Sequence, residues 1–370
     1  GDISLGPQGT FTTNQANYNA CTFDSNLNRT VVFFSDNSDS ENLKCRVGST
    51  SGLSLDFGSI TAVASDVSGG NGVAFDSNSN KVVVVYEDKG NSGHGTAVVG
   101  TISGTAISFG TPVVFSANAI QGDSQGPTIA FDSTNNKIGV AFEHSSELKF
   151  ISGTVSGTSI TFDSEFTVDT GNPGEIIKLV YDDNADKFVV GYSRVSTRIG
   201  VANVVQIDTQ STNITSENYI GMSRGPAFQT GSAASVGSPT AFVSADSGVN
   251  AMAFDSSNNK VVIAYRDTNN YGYAVVATVS GSSVSFGTPV AYRSASIENH
   301  QSVVFDSNAN KVVVFYGRSS TTKAKVGTVS GTSISFGSEA SVHNESSVKF
   351  DGTFDSANNK VVVTYRGANN

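Results

Sequence analysis

The chain reads as an all-β protein, a β-propeller of four-stranded blades, on three observations. A Phe-Asp-Ser signature recurs along the whole length, each recurrence opens the same succession of four short apolar segments, and no segment carries a sustained helical period. The signature falls at Phe23, Phe75, Phe131, Phe254, Phe305 and Phe354, with a worn copy at Tyr181-Asp182-Asp183. Successive copies lie 52, 56, 50, 73, 51 and 49 residues apart. One unit is therefore about 50 residues, a propeller-blade length.

Each element follows from local chemistry. Strand a, Gly72-Val73-Ala74-Phe75 in the second copy, is short and rich in small residues, which suits the crowded axis of a ring. Asp76 to Lys81 is a cluster of turn formers, with a carboxylate placed to cap backbone N–H groups in an Asx-type hairpin. Strand b is the β-branched run Val82 to Val85 closed by Tyr86, and strand c follows at Thr96 to Ile102. Ser103-Gly104-Thr105 then turns the chain into strand d, Ala106 to Gly110 and on to Pro112-Val113-Val114-Phe115. Ile107-Ser108-Phe109 alternates apolar and polar as a half-buried strand does, and it is echoed by Ile160-Thr161-Phe162, Val284-Ser285-Phe286 and Ile334-Ser335-Phe336. A four-stranded meander repeated about seven times buries its faces most economically as twisted sheets packed around an axis. The expectation is a single domain over residues 1–370 with seven blades, six or eight being the alternatives.

The ends of the chain point to how the ring closes. The last copy stops after strand b, Lys360 to Tyr365, and the chain begins with Ile3-Ser4-Leu5-Gly6, which has the pattern of a strand d fragment. Joined in one composite blade, the N- and C-terminal segments close the ring, although no strand c is evident for that blade. A second irregularity is an insertion within residues 201–243. Val201 to Ile207 reads as a strand c and Asn218 to Met222 as a strand d, with Pro226 to Phe242 as a further c–d pair lacking its own a–b. The repeat also places the two cysteines. Cys21 takes the position held by Val73, Ile129, Met252 and Val303, and Cys45 that held by Ala97, Ala274 and Ala324. Both positions belong to the core, on strands separated by a third one and so about 10 Å apart, too far for a disulfide.

Composition narrows the function. Only 15% of residues are charged and 38% are hydrophobic, with a net charge of −10 and a pI near 4.8. Such a surface repels phosphate backbones and argues against nucleic acid, while suiting neutral or cationic partners such as sugars. No apolar run approaches the roughly 18 residues of a membrane span, so no membrane insertion is expected. Gly1 to Leu5 is not a signal peptide, and a start at Gly1 is that of a trimmed chain with room for a leader or flanking domains.

Three motifs carry a resemblance. They are Phe305-Asp306-Ser307-Asn308-Ala309-Asn310-Lys311-Val312-Val313-Val314, then Gly327-Thr328-Val329-Ser330-Gly331-Thr332-Ser333-Ile334-Ser335-Phe336-Gly337, and the single Glu217-Asn218-Tyr219-Ile220-Gly221-Met222-Ser223. Together they resemble the repeat proteins of marine bacteriophages and related environmental viral sequences, often encoded near tail or fibre genes. The resemblance spans essentially the whole chain. It implies a virion-surface or tail-associated propeller and carries no active-site residues over.

Each candidate site has a plainer reading beside it. The Asp-x-Asn-x-Asn turn at Asp76, Asn78 and Asn80 matches the front of a calcium loop, but Lys81 stands where that loop needs Gly. An Asx turn is the better reading, and no metal or cofactor is expected. Zinc motifs and phosphate loops are absent, and His94, His144, His300 and His343 fall in different copies without ligand spacing. Sugar stacking would rest on Tyr271, Tyr273, Tyr292 and Tyr219, since Trp is absent. The sequons at Asn28, Asn213 and Asn344 are no more than this composition supplies by chance.

Binding is the stronger reading. The a–b and c–d turns repeat closely, whereas the b–c and d–a loops, on the opposite face, differ from copy to copy in length and charge. After strand b the copies read Glu87-Asp88, Glu143-His144, Ser193-Arg194, Arg266-Asp267, Gly317-Arg318 and Arg366. Acid leads early and arginine late, a lopsided face that can orient a partner. The candidate ligand-binding residues are Glu87, Asp88, His94, Glu143, His144, Arg194, Arg266, Asp267, Tyr271, Arg318 and Arg366. The function expected is a non-enzymatic extracellular or virion-surface propeller that binds a host-surface glycan or protein. A purely structural subunit self-associating into a fibre is the first alternative, and a secreted glycan-processing enzyme the second.

Overall fold

The computed structural model describes residues 3–67, 69–121, 126–208, 233–243, 248–298, 300–318, 321–345 and 347–367. The chain is a β-propeller with six complete blades and a seventh position filled in a different way. Blade two is typical, with strand a at Asn71–Asp76, b at Lys81–Asp88, c at His94–Ser103 and d in two pieces, Ala106–Phe109 and Val113–Ala119. Both pieces of strand d pair with strand c, Phe109 opposite Gly100 and Val113 opposite Ala97. Blade six runs the two pieces together as Ser333–His343. The seventh repeat supplies only the hairpin of strands a and b, Ser347–Asp355 and Lys360–Gly367. Six complete blades match the alternative of six that the repeat left open, in place of the preferred seven. Among the described residues helix is confined to short 3₁₀ turns at Asn37–Asp39 and Lys89–Asn91.

The strands a of successive blades touch in order around the axis, and that of blade seven touches that of blade one, Ala16–Asp24, which closes the ring. The core is a set of apolar layers between successive blades. Between blades one and two, for example, Val31, Phe33 and Cys45 meet Val82, Val84 and Tyr86. Strand b is buried on both faces, which is why it reads as a continuous Val-rich run and not as an alternating one. Cys21 and Cys45 are buried free thiols in adjacent registers of strands a and c, opposite Val32 and Phe33 of the strand between them. Burial pushes the Cys45 thiol up to about 12.

One turn repeats seven times. Asp24, Asp76, Asp132, Asp182, Asp255, Asp306 and Asp355 each accept hydrogen bonds from the backbone N–H groups two and three residues ahead, at 2.8–3.2 Å. The residue before strand b is left-handed in every copy, with φ of 52–56° at Asn28, Asn80, Asn136, Asp186, Asn259, Asn310 and Asn359. Asn and Asp tolerate that region, which explains the Asn-Lys that ends the turn. These carboxylates are therefore committed to backbone.

The irregular segment resolves in part. In blade four, strand c is Gly200–Asp208, and the pieces Ala233–Val236 and Thr240–Ala241 pair with it directly. Residues 233–241 are thus the strand d of blade four, not half of a second c–d pair. The insertion replaces the c–d turn, and the expected strand at Asn218 to Met222 lies outside the described residues.

Replacing Asp306 by Ala removes two backbone acceptors from one hairpin. It is expected to lower stability by about 1–2 kcal/mol. Asn310→Gly, which keeps the left-handed geometry, is expected to change stability by less than about 0.5 kcal/mol. Urea unfolding of the two variants checks this.

Candidate functional site

The channel mouth lies at the start of the strands a, where the d–a loops enter and the b–c loops turn back. Position matters here more than motif. Five residues before the signature aromatic, blades one, six and seven carry Tyr18, His300 and Lys349, where blades two and three carry Gly70 and Gly126. Three residues before it, most copies have Ala20, Gly72, Thr128, Ala251 or Ser302, but blade four has Lys178 and blade seven Asp351. Blades seven, one and six are neighbours in the closed ring, so Lys349, Tyr18 and His300 gather on one side of the mouth.

Strand a of blade seven is bulged to make this possible. Its pairing slips between Val348 and Asp351, with Lys349 left-handed at φ 57°, and strand a of blade one slips likewise at Tyr18, φ 49°. The two bulges lay the Lys349 ammonium over the Tyr18 ring, 4.5 Å from its centroid. Arg366 donates to Asn17 Oδ1, Asn17 donates to Asn37 Oδ1 at 2.7 Å, and Asn19 donates to Thr364 Oγ1 at 2.7 Å. Deeper, the Cys21 backbone N–H donates to Asp351 Oδ2 at 2.6 Å.

Charges respond to this enclosure. Burial lowers the Lys178 pKa, with Asp351 opposing the shift, and burial raises that of Asp351 against the pull of the Cys21 N–H and Lys178. His300 is lowered to about 4, first by burial and then by Lys349, Lys178, Arg366 and Arg266. Four cations thus act on one neutral imidazole, in a chain whose net charge is −10.

The expected site residues divide into groups. The charges of Arg266 of blade five and Arg366 of blade seven both help to lower the His300 pKa. Arg194 and Arg318 are engaged elsewhere. Asp169 accepts from Arg194 Nε at 2.9 Å and from Nη2 at 2.8 Å, and it also receives the Tyr192 hydroxyl. Glu339 binds Arg318 at 3.3 Å, Arg293 at 3.1 Å and the Tyr316 hydroxyl at 2.6 Å. Both arginines knit outer strands together. Asp88 caps the 3₁₀ turn through Asn91 N, and Asp267 accepts from Asn269 N and Tyr271 N, so these acids hold b–c turns. Glu87 is buried, His144 contacts Ser145 Oγ at 2.9 Å, and His94 and Tyr271 open the strands c of blades two and five. Glu143 is the penultimate residue of strand b of blade three, pairing with Leu148. The structure does not draw these together. Sequence reasoning missed Tyr18, Lys178, His300, Lys349 and Asp351. The signal was their departure from the small residues of the other strands a.

No family model matches the chain, and no curated protein matches it. Solved structures do. A protein from Lactobacillus plantarum is similar over 88% of this chain and 86% of its own, with a TM-score of 0.61 and 14% identity. The periplasmic gluconolactonase PpgL of Pseudomonas aeruginosa covers 95% and 88%, at 0.59 and 10%. The fucose-specific lectin of Aleuria aurantia covers 90% and 97%, at 0.54 and 13%. At these identities the likeness is one of fold.

The depressed His300 gives a pH signature. Folded, it is neutral above about pH 4; unfolded, it takes a proton below about 6.5. Its contribution to stability is complete above about pH 6.5 and is lost as pH falls to about 4, by up to about 3 kcal/mol. His300→Gln is expected to flatten the slope of unfolding free energy against pH in that window. Urea titrations of both proteins at pH 4.5, 5.5 and 7 measure it.

Proposed function

We propose that this protein is a non-enzymatic binding propeller, displayed extracellularly or on a virion, that takes an acidic host-surface glycan at the mouth of its axial channel. The observation that carries the reading is the difference between its two faces. On the a–b face every signature carboxylate is tied to its own turn. On the b–c and d–a face, the Lys349 ammonium lies over the Tyr18 ring, Arg366 donates to Asn17, and the positive charges of Lys349, Lys178, Arg366 and Arg266 all act on His300. Cations in a partly desolvated recess bind carboxylate or sulfate groups, and a neutral imidazole with a tyrosine ring serves the hydroxyls and apolar face of a sugar. The surrounding acidic surface repels anions that do not fit the mouth. Lectin folds of this shape exist, the Aleuria aurantia protein among the structural neighbours. Display on a tail or fibre rests on the resemblance of the repeat to phage proteins.

A glycan-processing enzyme is the second reading, favoured by the lowered pKa of Lys178 and His300, the kind of shift that acid–base groups carry. Turnover of a chromogenic glycoside or a sugar lactone, lost in His300→Gln, would favour it. For the binding reading, a glycan array with whole-cell binding is the direct test. Saturable binding of acidic glycans is expected, weakened at least tenfold in an Arg266→Ala, Arg366→Ala double variant. Arg318→Ala is expected to leave affinity unchanged and reduce stability. An array signal confined to neutral sugars, or binding indifferent to the double variant, would sink the proposal.

A further inference from the structure

Neighbouring blades face one another across clefts that open outward between their outer strands, and the repeat makes these clefts comparable. Two places on strand c line each one, opposite the strand b aromatic and opposite the residue two before it. Blades two and five put Thr96 with Val98 and Tyr273 with Val275 in these places, and so bring no charge there. Blade one puts Lys44 and Arg46 there and matches them with two acids, Lys44 meeting Asp36 at 2.9 Å and Asp39 at 2.6 Å. Lys149 of blade three pairs with Glu147 at 2.5 Å, and Arg194 of blade four pairs with Asp169.

Blade six departs from this balance. Lys323 and Lys325 stand opposite Tyr316 and Val314, which belong to the apolar layer shared with blade five, so both lysines leave their strand on the side of blade five. Arg318, two residues after Tyr316, lies on the same face, and Arg293 enters from strand d of blade five. One carboxylate answers these four cations. Glu339 accepts from Arg293 Nη1 at 3.1 Å, from Arg318 Nη1 at 3.3 Å and from the Tyr316 hydroxyl at 2.6 Å. Burial alone would raise its pKa, but the Tyr316 hydroxyl and the charges of Arg293, Arg318 and Lys323 hold it below the usual carboxylate range. The next acid along, Glu298, lies against Gly317, whose side of strand b turns to blade seven. Among the described residues the cleft therefore keeps a surplus of three positive charges, in a chain whose net charge is −10.

We propose that the cleft between blades five and six is a binding site for a phosphate dianion, free or carried as a monoester, held by Arg293, Arg318 and Lys323. The site lies among outer strands, is separate from the channel mouth and does not rest on the glycan reading. Glu339 is its positioning residue. It takes one N–H from each guanidinium, a group with five, and so fixes two forks while leaving donors for a ligand. The Arg293 and Arg318 side chains are 25% and 35% exposed, open enough to be reached and enclosed enough to be held. Lys323 is tied to Ser341 Oγ at 2.6 Å by one of its three ammonium hydrogens. Charge and shape select the ligand class. Three cationic groups from three strands match the three terminal oxygens of a phosphate monoester, where a carboxylate has two. Near pH 7 that phosphate carries about −1.5 to −2, so it offsets more of the surplus than a sulfate ester or a carboxylate, each with a single charge.

Calorimetric titration of the whole chain with glucose 6-phosphate and with inorganic phosphate, at about pH 7.5 where both are dianions, tests this. Saturable one-to-one binding is expected, at least tenfold weaker in Arg318→Gln and in Lys323→Gln. It is expected to be unchanged in Arg194→Gln, whose guanidinium is committed to Asp169. Lys323→Gln alters only a surface contact with Ser341, so it carries the test if Arg318→Gln fails to fold. Glucose 6-sulfate, with the same three oxygens and a single charge, is expected to bind at least fivefold more weakly. Inorganic phosphate equal to the sugar phosphate assigns the cleft to the free ion, and a tighter sugar phosphate assigns it to the ester; either upholds the site. Absence of saturable phosphate binding to folded protein would overturn the inference, as would full affinity in Lys323→Gln or equal affinity for the sulfate. Phosphate affinity lost in the Arg266→Ala, Arg366→Ala double variant but kept in the cleft variants would place the anion at the mouth. That result would overturn the inference and leave the glycan reading standing.

Discussion

A blade whose strand b is apolar on both faces cannot exist alone. Val82 to Tyr86 are all essentially inaccessible, and the side chains that cover them belong to three different sheets. Every other feature of the fold answers that constraint. Small residues on the strands a let the inner edges crowd together, the strand d aromatics clamp each blade onto the next strand b, and glycines accept the neighbouring c–d turn. Because each layer needs two blades, the ring must close, and the ends of the chain must meet in one blade. They do so with Ile3 to Phe11 outside and Ser347–Gly367 inside.

Much of this was legible in the residues. Turn chemistry fixes the seven Asx hairpins because a carboxylate followed by Asn or Ser has one economical use there, and the same repeat frame placed both cysteines correctly. Strand d of blade seven could be suspected from Ile3-Ser4-Leu5-Gly6 because its pattern copies Ile107-Ser108-Phe109-Gly110. The break inside strand d was not legible, since it depends on how the next blade's turn seats against Gly110. The insertion of blade four misled for a related reason: an apolar pattern shows that a strand exists but not its partner, and only the pairing of Val205 with Val236 assigns residues 233–236.

The site was less legible than the fold. Arg194 and Arg318 follow the strand b tyrosine by two residues and Arg266 and Arg366 by one, a register difference that the sequence shows. That Asp169 and Glu339 of outer strands engage the first two is tertiary. Conversely, Lys178, His300 and Lys349 are unremarkable as single residues and become a group only when seven strands are arranged about one axis. The outer turns thus serve the fold and the axis gathers the cations, two surfaces with two chemistries on one repeat.

The claim at the centre is that the channel mouth is where a ligand sits. A crystal structure of the chain with an acidic oligosaccharide bound tests it most directly. The account places the ligand's acid group within hydrogen-bonding distance of Arg266, Lys349 or His300, with a sugar ring near Tyr18. Density over the outer loops, at His94 or Glu143, with an empty mouth, would contradict it.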